Sequence, residues 1–467
     1  MRAELRGRDL IEFERRIRAE CESGVPLGAY ASSHGVHYVF LGERGAFSLE
    51  RPHADNRAAS AFSTTFPGFS WDEREMRDQW DVRFADLPDP RPLGSNGGSM
   101  PAAVVATGAG LMHMVVGPVH AGIIEPGRFT FSSGGETVVH LDAQLSYSHR
   151  GVEQHLVARD PLAAAPYLAR ICGGCSASRS LAFAQALEQL AGIAIDFRVE
   201  LMRLVVAELE RIYNHLADLA ASAAGAGWGP GFARGMALKE RAMRACQRAT
   251  GHRLLFDAIV PGGVAPQTLL EPGDLRTSLQ ALQSSVERYL ESLFGNPSVV
   301  ARWERAGAVS RRAARAFGAV GPTHRASGGK IDVRAFAPYG AYRRIRTLVA
   351  SASTGDAFAR CSIKRDELRE SFRLIGAALA NVGDARPKAT ATMRVEQGAA
   401  TGVVEGPRGA ETVAVHVDES RRLSRVHVIS ASYRNWPLVA RAMDGNIVPD
   451  FPLVNKSFNL CYACADR

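Results

Sequence analysis

An α+β fold, with a small N-terminal α+β domain ahead of a larger and mainly helical one, follows from three features of the sequence. A Pro-, Gly-, Ser- and Asn-dense stretch, LPDPRPLGSNGGSMP at 87–101, breaks the early part of the chain. Beyond 146, apolar residues recur at three- and four-residue spacing, the stripe of core-facing helices. Apolar–polar alternation around glycine turns flanks that helical stretch on both sides. At 467 residues the chain exceeds one ordinary domain. We therefore expect a first domain at 1–88, a linker at 89–105 and a second domain at 106–467.

In the first domain, DLIEFERRIRAEC and SWDEREMRDQWDV predict helices, whereas HYVFLG and GAFSLE predict short strands. After the linker, VATGAGLMHMVVGP and RFTFSSGGETVVHLDAQL predict a small β-region. From 146 to 293 the reading is helical, carried by AFAQALEQLAGI and FRVELMRLVVAELERIYNHLADLAASA. Within the latter, ELERIYNHLAD reads as core with a polar edge. A helix pair fits 355–382. GVVEGPRGAETVAVHVDES and LSRVHVISASY then predict a returning β-region before a C-terminal helix and tail. No repeat period of a solenoid is present.

Composition is 46% hydrophobic, 22% charged and 7% aromatic, which suits a packed core and not a disordered chain. The opening MRAELRGRDLIEFERRIRAE has no apolar h-region, so no signal peptide is expected. The most hydrophobic stretch, 201–224, is broken by Arg203, Glu208, Glu210, Arg211, His215 and Asp218, so no membrane span is expected. A cytoplasmic chain follows. The net charge of +8 suits a partner protein or an anionic membrane surface. Arginines are dispersed without a recognition motif, so no nucleic-acid partner is expected. No phosphate-cradling glycine loop or dinucleotide fingerprint is found.

Of seven cysteines, four form two Cys-x-x-Cys pairs: Cys172 and Cys175 in RICGGCSASRS, and Cys461 and Cys464 in NLCYACADR. Two intervening residues let both thiolates turn toward one ion, and glycines permit close backbone approach. Four thiolates are a soft donor set suited to zinc, iron–sulfur or nickel. A structural zinc module brings its pairs together over a short loop, whereas here whole helices must fold between them. A redox role for either pair alone stays open. Cys21, Cys246 and Cys361 are isolated and read as small buried hydrophobes.

Several blocks, in order, resemble the large subunits of nickel–iron hydrogenases of the energy-converting class related to respiratory complex I. They are GPVHAGIIEPGRFTF (117–131), YSHRGVEQHL (147–156), RICGGCSASRS, ELERIYNHLAD (208–218), IVPGGV (259–264), GPTHRASGGKIDVR (321–334), VVEGPRGAE and DFPLVNKSFNLCYACADR. The N-terminal EREMRDQWDVRFADLPDPRPL is similar to a block of the small complex I subunit that supports the iron–sulfur arm. A fusion of the two modules is typical of formate hydrogenlyase-type hydrogenases.

The resemblance implies a hydrogenase large-subunit-like fold and a nickel–iron centre whose iron carries carbon monoxide and cyanide. Cys172 and Cys461 would be terminal nickel ligands, with Cys175 and Cys464 bridging to iron. Arg408 would lie over the metals, and Glu125 would relay protons from a thiolate. Glu153 would anchor a second, redox-inert ion, with magnesium the candidate. His120 would correspond to a histidine near the quinone in complex I, or serve only as a hydrogen-bonding core residue. His149 and Arg150 would line the ligand site or an interface; His215 is assigned no chemistry.

The same resemblance implies H2 and protons as substrates, an iron–sulfur small subunit of complex I-like type, and integral membrane ion-translocating subunits. The chain would then be peripheral on the inner face of the cell membrane. Departures from the family pattern are Arg179, where a histidine is usual, and Asn459-Leu460, where Asp-Pro is usual. They keep open a non-catalytic or quinone-site scaffold, and a structural zinc protein as a third possibility.

Overall fold

The computed structural model describes residues 7–52, 59–94, 100–120, 125–268, 272–382 and 393–467. Helix α1 (Gly7–Ser23) packs on an antiparallel sheet of β1 (Val25–Ala31), β2 (Gly35–Gly42) and β3 (Gly45–Pro52), and α2 (Ser70–Trp80) lies against β1. Strand β1 escaped the sequence pattern because Pro26 and Gly28 interrupt it, and a bulge falls between them.

Strands β1 and β2 are buried on both faces, whereas the outer strand β3 is mostly exposed or half-buried. Tyr38 and Phe40 join Ile17, Phe62 and Phe69 in a local core, while the alternate residues Val39 and Leu41 join the main core. The described residues 87–94 of the proline-rich stretch are tied back: Arg74 holds Asp89 at 2.9 Å, and Arg91 reaches Asp142 at 3.1 Å.

A second antiparallel sheet comprises β4 (Leu111–Val116), β5 (Arg128–Gly134) and β6 (Thr137–Gln144). Short helices α3 (Val152–His155) and α4 (Ala165–Ala169) lead to the bundle of α5 (Ser176–Ala191), α6 (Phe197–Gly225) and α7 (Gly229–Thr250). A two-strand hairpin, β7 (Ile259–Val260) and β8 (Gly263–Val264), precedes α8 (Pro272–Phe294). Then come four short helices, α9 (Pro297–Trp303), α10 (Arg311–Ala316), α11 (Gly321–Ala326) and α12 (Val333–Phe336). The helix pair expected over 355–382 is instead one helix, α13 (Ala357–Val382).

The third sheet has the order β11-β10-β9, from β9 (Gly398–Gly406), β10 (Gly409–Val417) and β11 (Leu423–Ile429). Helices α14 (Ala431–Ala442), α15 (Phe451–Phe458) and α16 (Tyr462–Asp466) follow. The result is the mixed α+β fold expected from the sequence. No described helix is long and apolar enough to cross a membrane.

Helix α6 runs through the centre, packed by α5, α7, α13 and α15. Beyond its first turn, its charged residues form no exposed edge. Arg203, Glu208, Glu210, Arg211, His215 and Asp218 are all buried. Distant partners make this tolerable: Glu188 for Arg203, Arg334 for Glu208, Glu367 for His215 and Lys364 for Asp218.

Candidate metal centre

The first cysteine pair sits in the turn that starts α5. The free N–H groups of Ala177 and Ser178 donate to the Glu210 carboxylate at 2.7 and 3.0 Å, which anchors the helix start on α6. Tyr213 and Asn214, also on α6, donate to the carbonyls of Gly173 and Gly174 at 2.7 and 2.9 Å. A Cβ at Gly174 would stand 3.0 Å from Arg408 Nη1, so glycine here makes room for that guanidinium.

The second pair follows α15, which ends at Asn459 in the left-handed conformation. Cys461 N donates to Ser432 Oγ at 3.0 Å, and Ser430 Oγ donates to the Cys464 carbonyl at 3.1 Å. Helix α14 thereby fixes the tail against the first pair.

The four sulfurs converge. Cys172 Sγ lies 3.1 Å from Cys461 Sγ, and Cys175 Sγ lies 3.9 Å from Cys464 Sγ. Four thiolates about 2.3 Å from one ion would be spaced about 3.8 Å apart, so the donor set is at bonding scale. Cys175 and Cys464 are buried, whereas Cys172 and Cys461 are partly exposed.

Two guanidiniums face the sulfurs. Arg408 Nη1 lies 3.7 Å from Cys175 Sγ and 3.1 Å from Asn214 Oδ1, and its Nε donates to the Asn459 carbonyl at 2.5 Å. Arg179 Nη2 lies 3.2 Å from Cys464 Sγ and 2.9 Å from Glu411 Oε2. Hydrogen bonds from the neighbouring thiols hold Cys172 well below the ordinary thiol range, while the same kind of contact holds Cys175 and Cys461 well above it. Burial raises Glu411 to about 7, against the pull of Arg179. Although buried, Arg179 Nε and Nη1 find no acceptor among the described residues. A soft four-thiolate set with spare donors beside it fits a metal carrying small acceptor ligands.

The family model for the respiratory-chain NADH dehydrogenase, 49 Kd subunit, matches residues 227–392 and 386–467. This chain belongs to that family. The model for nickel-dependent hydrogenase matches residues 150–219 of the same 49 Kd-family chain, including the first cysteine pair. Formate hydrogenlyase subunit 5 of Escherichia coli (strain K12) is 27% identical over 93% of this chain and 82% of its own length. Hydrogenase-4 component G of the same organism is 28% identical over 89% of this chain and 77% of its own. A chain of the membrane-bound sulfane sulfur reductase, an archaeal respiratory membrane complex, shares the fold. Its TM-score is 0.71 at 24% identity, with 76% of this chain and 98% of that chain covered. This member of the 49 Kd family is thus a hydrogenase-type, complex I-like subunit.

Other residues singled out in the sequence lie around the centre in this 49 Kd-family chain. Glu125 is exposed and makes no hydrogen bond among the described residues; positions 121–124 before it lie outside them. Burial raises Tyr462 and Asp466, and the Glu125 carboxylate adds to both effects, which puts it near the tail. His120 Nε2 pairs with the Gly127 carbonyl at 2.7 Å, a local structural contact. His149 Nδ1 meets the Asp466 carbonyl at 2.6 Å, and Arg150 N donates to the Arg467 carbonyl at 2.9 Å. Both residues hold the tail.

Glu153 is met by two guanidiniums. Its carboxylate accepts from Arg425 at 2.8 Å, Arg467 at 3.1 Å and Val428 N at 2.9 Å, with His427 Nδ1 at 3.1 Å. Sequence reasoning missed Asn214, Glu411 and Arg467. The first was detectable: on a helix, positions 210 and 214 share the face that meets the cysteine turn.

Proposed function

We propose that this chain is the catalytic large subunit of a membrane-associated nickel–iron hydrogenase, interconverting H2 with protons and electrons. The observation that carries this reading is the convergence of Cys172, Cys175, Cys461 and Cys464 at bonding scale beside Arg408. Cys172, Cys175, Cys461 and Cys464 would hold a nickel ion and an iron bearing carbon monoxide and cyanide. When bound, such a centre supplies heterolytic cleavage of dihydrogen.

The chain's own residues set the environment of that reaction. Arg408, fixed by Asn459 and Asn214, presents a permanent positive charge toward Cys175 and orients what binds there. A thiolate at the centre takes the proton first, and Glu125 passes it toward solvent. Electrons leave through an iron–sulfur small subunit, with integral membrane ion-translocating subunits beyond it. The chain is peripheral on the inner face of the membrane, and 1–88 acts as its complex I small-arm-like domain.

Metal analysis of the purified complex with infrared spectroscopy tests this. Nickel and iron in equal amount, with carbon monoxide and cyanide bands, support it; zinc alone sinks it. A second reading, a non-catalytic scaffold, draws on Arg179, whose guanidinium contacts Cys464 where the family pattern has histidine. That reading expects no metal and an unchanged assembly when all four cysteines are replaced.

A further inference from the structure

Behind the tail cysteines lies a second cluster that mixes acids and bases. Ligand atoms of Glu75, Glu153 and His427 all lie within 4.8 Å of one another, which is the spacing of a cation site. The three come from α2, α3 and β11, so three parts of the fold meet there. The space between the carboxylates is filled from the tail. Arg467 donates through Nη1 to Glu153 at 3.1 Å and to the Val428 carbonyl at 2.7 Å, and through Nη2 to Glu75. Its guanidinium also stacks 4.7 Å over the Tyr433 ring, whose hydroxyl donates to Glu75 at 2.8 Å.

Charge balance explains why the arrangement is stable. Glu75 and Glu153 bring two negative charges, and Arg425 and Arg467 bring two positive ones, all buried. A divalent ion added to this set would leave it strongly positive in a low-dielectric interior, so the two cations exclude each other. Arg467 lies three residues beyond Cys464, and Asp466 between them caps Ser146 N and Ser148 N at 2.7 and 3.0 Å. The anchor and the metal-binding turn therefore share one short segment.

We infer that the Arg467 guanidinium is the resident cation of the Glu75–Glu153–His427 site, where it takes the place of a divalent ion and positions the segment carrying Cys461 and Cys464. The positioning half of this inference rests on the cysteine centre proposed above; the cation half does not. Arg467 is a positioning residue that never touches the reacting atoms. It also ties α2, in the N-terminal unit, to the metal turn.

The test uses the full chain and its Arg467→Ala and Arg467→Lys variants, with Mn2+ as probe, because Mn2+ prefers carboxylate and imidazole to thiolate. Electron paramagnetic resonance counts bound Mn2+. The wild type and the lysine variant bind none at this site, whereas the alanine variant binds one per chain. Adding Glu75→Gln to the alanine variant abolishes that binding. In parallel, Co2+ reports the cysteines through its thiolate charge-transfer absorption, which weakens several-fold in the alanine variant and recovers when Mn2+ is added. A merely structural loss would not be rescued by an ion. Stoichiometric Mn2+ binding by the wild type, or an alanine variant that binds none, overturns the resident-cation assignment. An alanine variant with full cobalt absorption before Mn2+ overturns the positioning role. If the alanine variant fails to fold, Mn2+ binding by the lysine variant decides instead, since lysine keeps the charge. A wild type without cobalt–thiolate absorption sinks the cysteine centre itself, and the Mn2+ counts still judge the cation.

Discussion

Cys172 and Cys461 are 289 residues apart in the chain, yet their sulfurs lie 3.1 Å from one another. Closing so long a loop costs little more than closing a short one, because the entropy grows only with the logarithm of length. What brings the sulfurs together is packing: α15 lies on α6 and α13, and α14 contacts α16. The donor set therefore exists only when the bundle is complete.

Replacing one sulfur by an oxygen should remove a soft ligand without changing shape. Cys461→Ser is expected to lower bound nickel by roughly tenfold or more, since even residues behind the ligands cost about that much. Cys246→Ala, buried in the main core and taking no part in the contacts among the four sulfurs, should leave metal content unchanged. Elemental analysis of both variants checks this. Equal losses in the two would mean that folding, not ligation, is being read.

Arg408 offers a planar fork used in three directions at once: the Asn459 carbonyl, Asn214 Oδ1 and Cys175 Sγ. Lysine keeps the charge but cannot meet the first two together while facing the third. Arg408→Lys should retain metal and lose about 10–100-fold in H2 turnover. Wild-type turnover in that variant would remove Arg408 from the reaction.

The elements legible in the sequence were those whose partners are local. Tyr38 and Phe40 alternate with Val39 and Leu41 in β2, and period-two burial follows directly. The charged residues of α6 misled, because what neutralises them comes from far away: Glu208 meets Arg334 across 126 positions, and His215 meets Glu367 across 152. Local pattern sees a polar edge; tertiary pairing makes it core. Where a helix pair was expected, the single helix α13 runs unbroken through Gly376, and packing against α6 outweighs that residue's modest cost. At the metal centre, the cysteines announced themselves by spacing. Glu411 and Arg467 did not: both close blocks quoted for the resemblance, VVEGPRGAE and DFPLVNKSFNLCYACADR, but their partners Arg179, Glu75 and Glu153 lie far away in the chain.

Arg179 and Glu411 are both fully buried and 2.9 Å apart. Removing Arg179 leaves Glu411, already raised to about 7 by burial, without its partner: it must stay charged and unpaired or take up a proton, and either costs stability. Arg179→Met should destabilise the chain by about 3–5 kcal/mol, and the double variant with Glu411→Gln should recover much of that. Denaturant titration of the two measures it. If the centre is loaded, the cyanide stretching bands should also shift in Arg179→Met, because a charge beside Cys464 has gone. Additive losses with unmoved bands would make Arg179 an ordinary core residue.

Acid should act on the chain through Glu208. Burial opposes its charge, but Arg334, Arg211, Ser371 and Tyr342 outweigh burial and hold the carboxyl at about 2. Its folded value lies below the ordinary one of 4.5, so its stabilisation is present above that pH and is lost as pH falls through about 2. The shift corresponds to about 3 kcal/mol. Glu208→Gln cannot titrate, and glutamine cannot neutralise Arg334 or Arg211. The unfolding free energies of wild type and variant should therefore differ most near neutral pH, with the gap narrowing by about 3 kcal/mol by about pH 2. Urea unfolding at several pH values provides the curve. A gap of constant size across that range would mean that Glu208 titrates alike in the folded and unfolded chain, so that the buried network around α6 is held by hydrogen bonds rather than by charge.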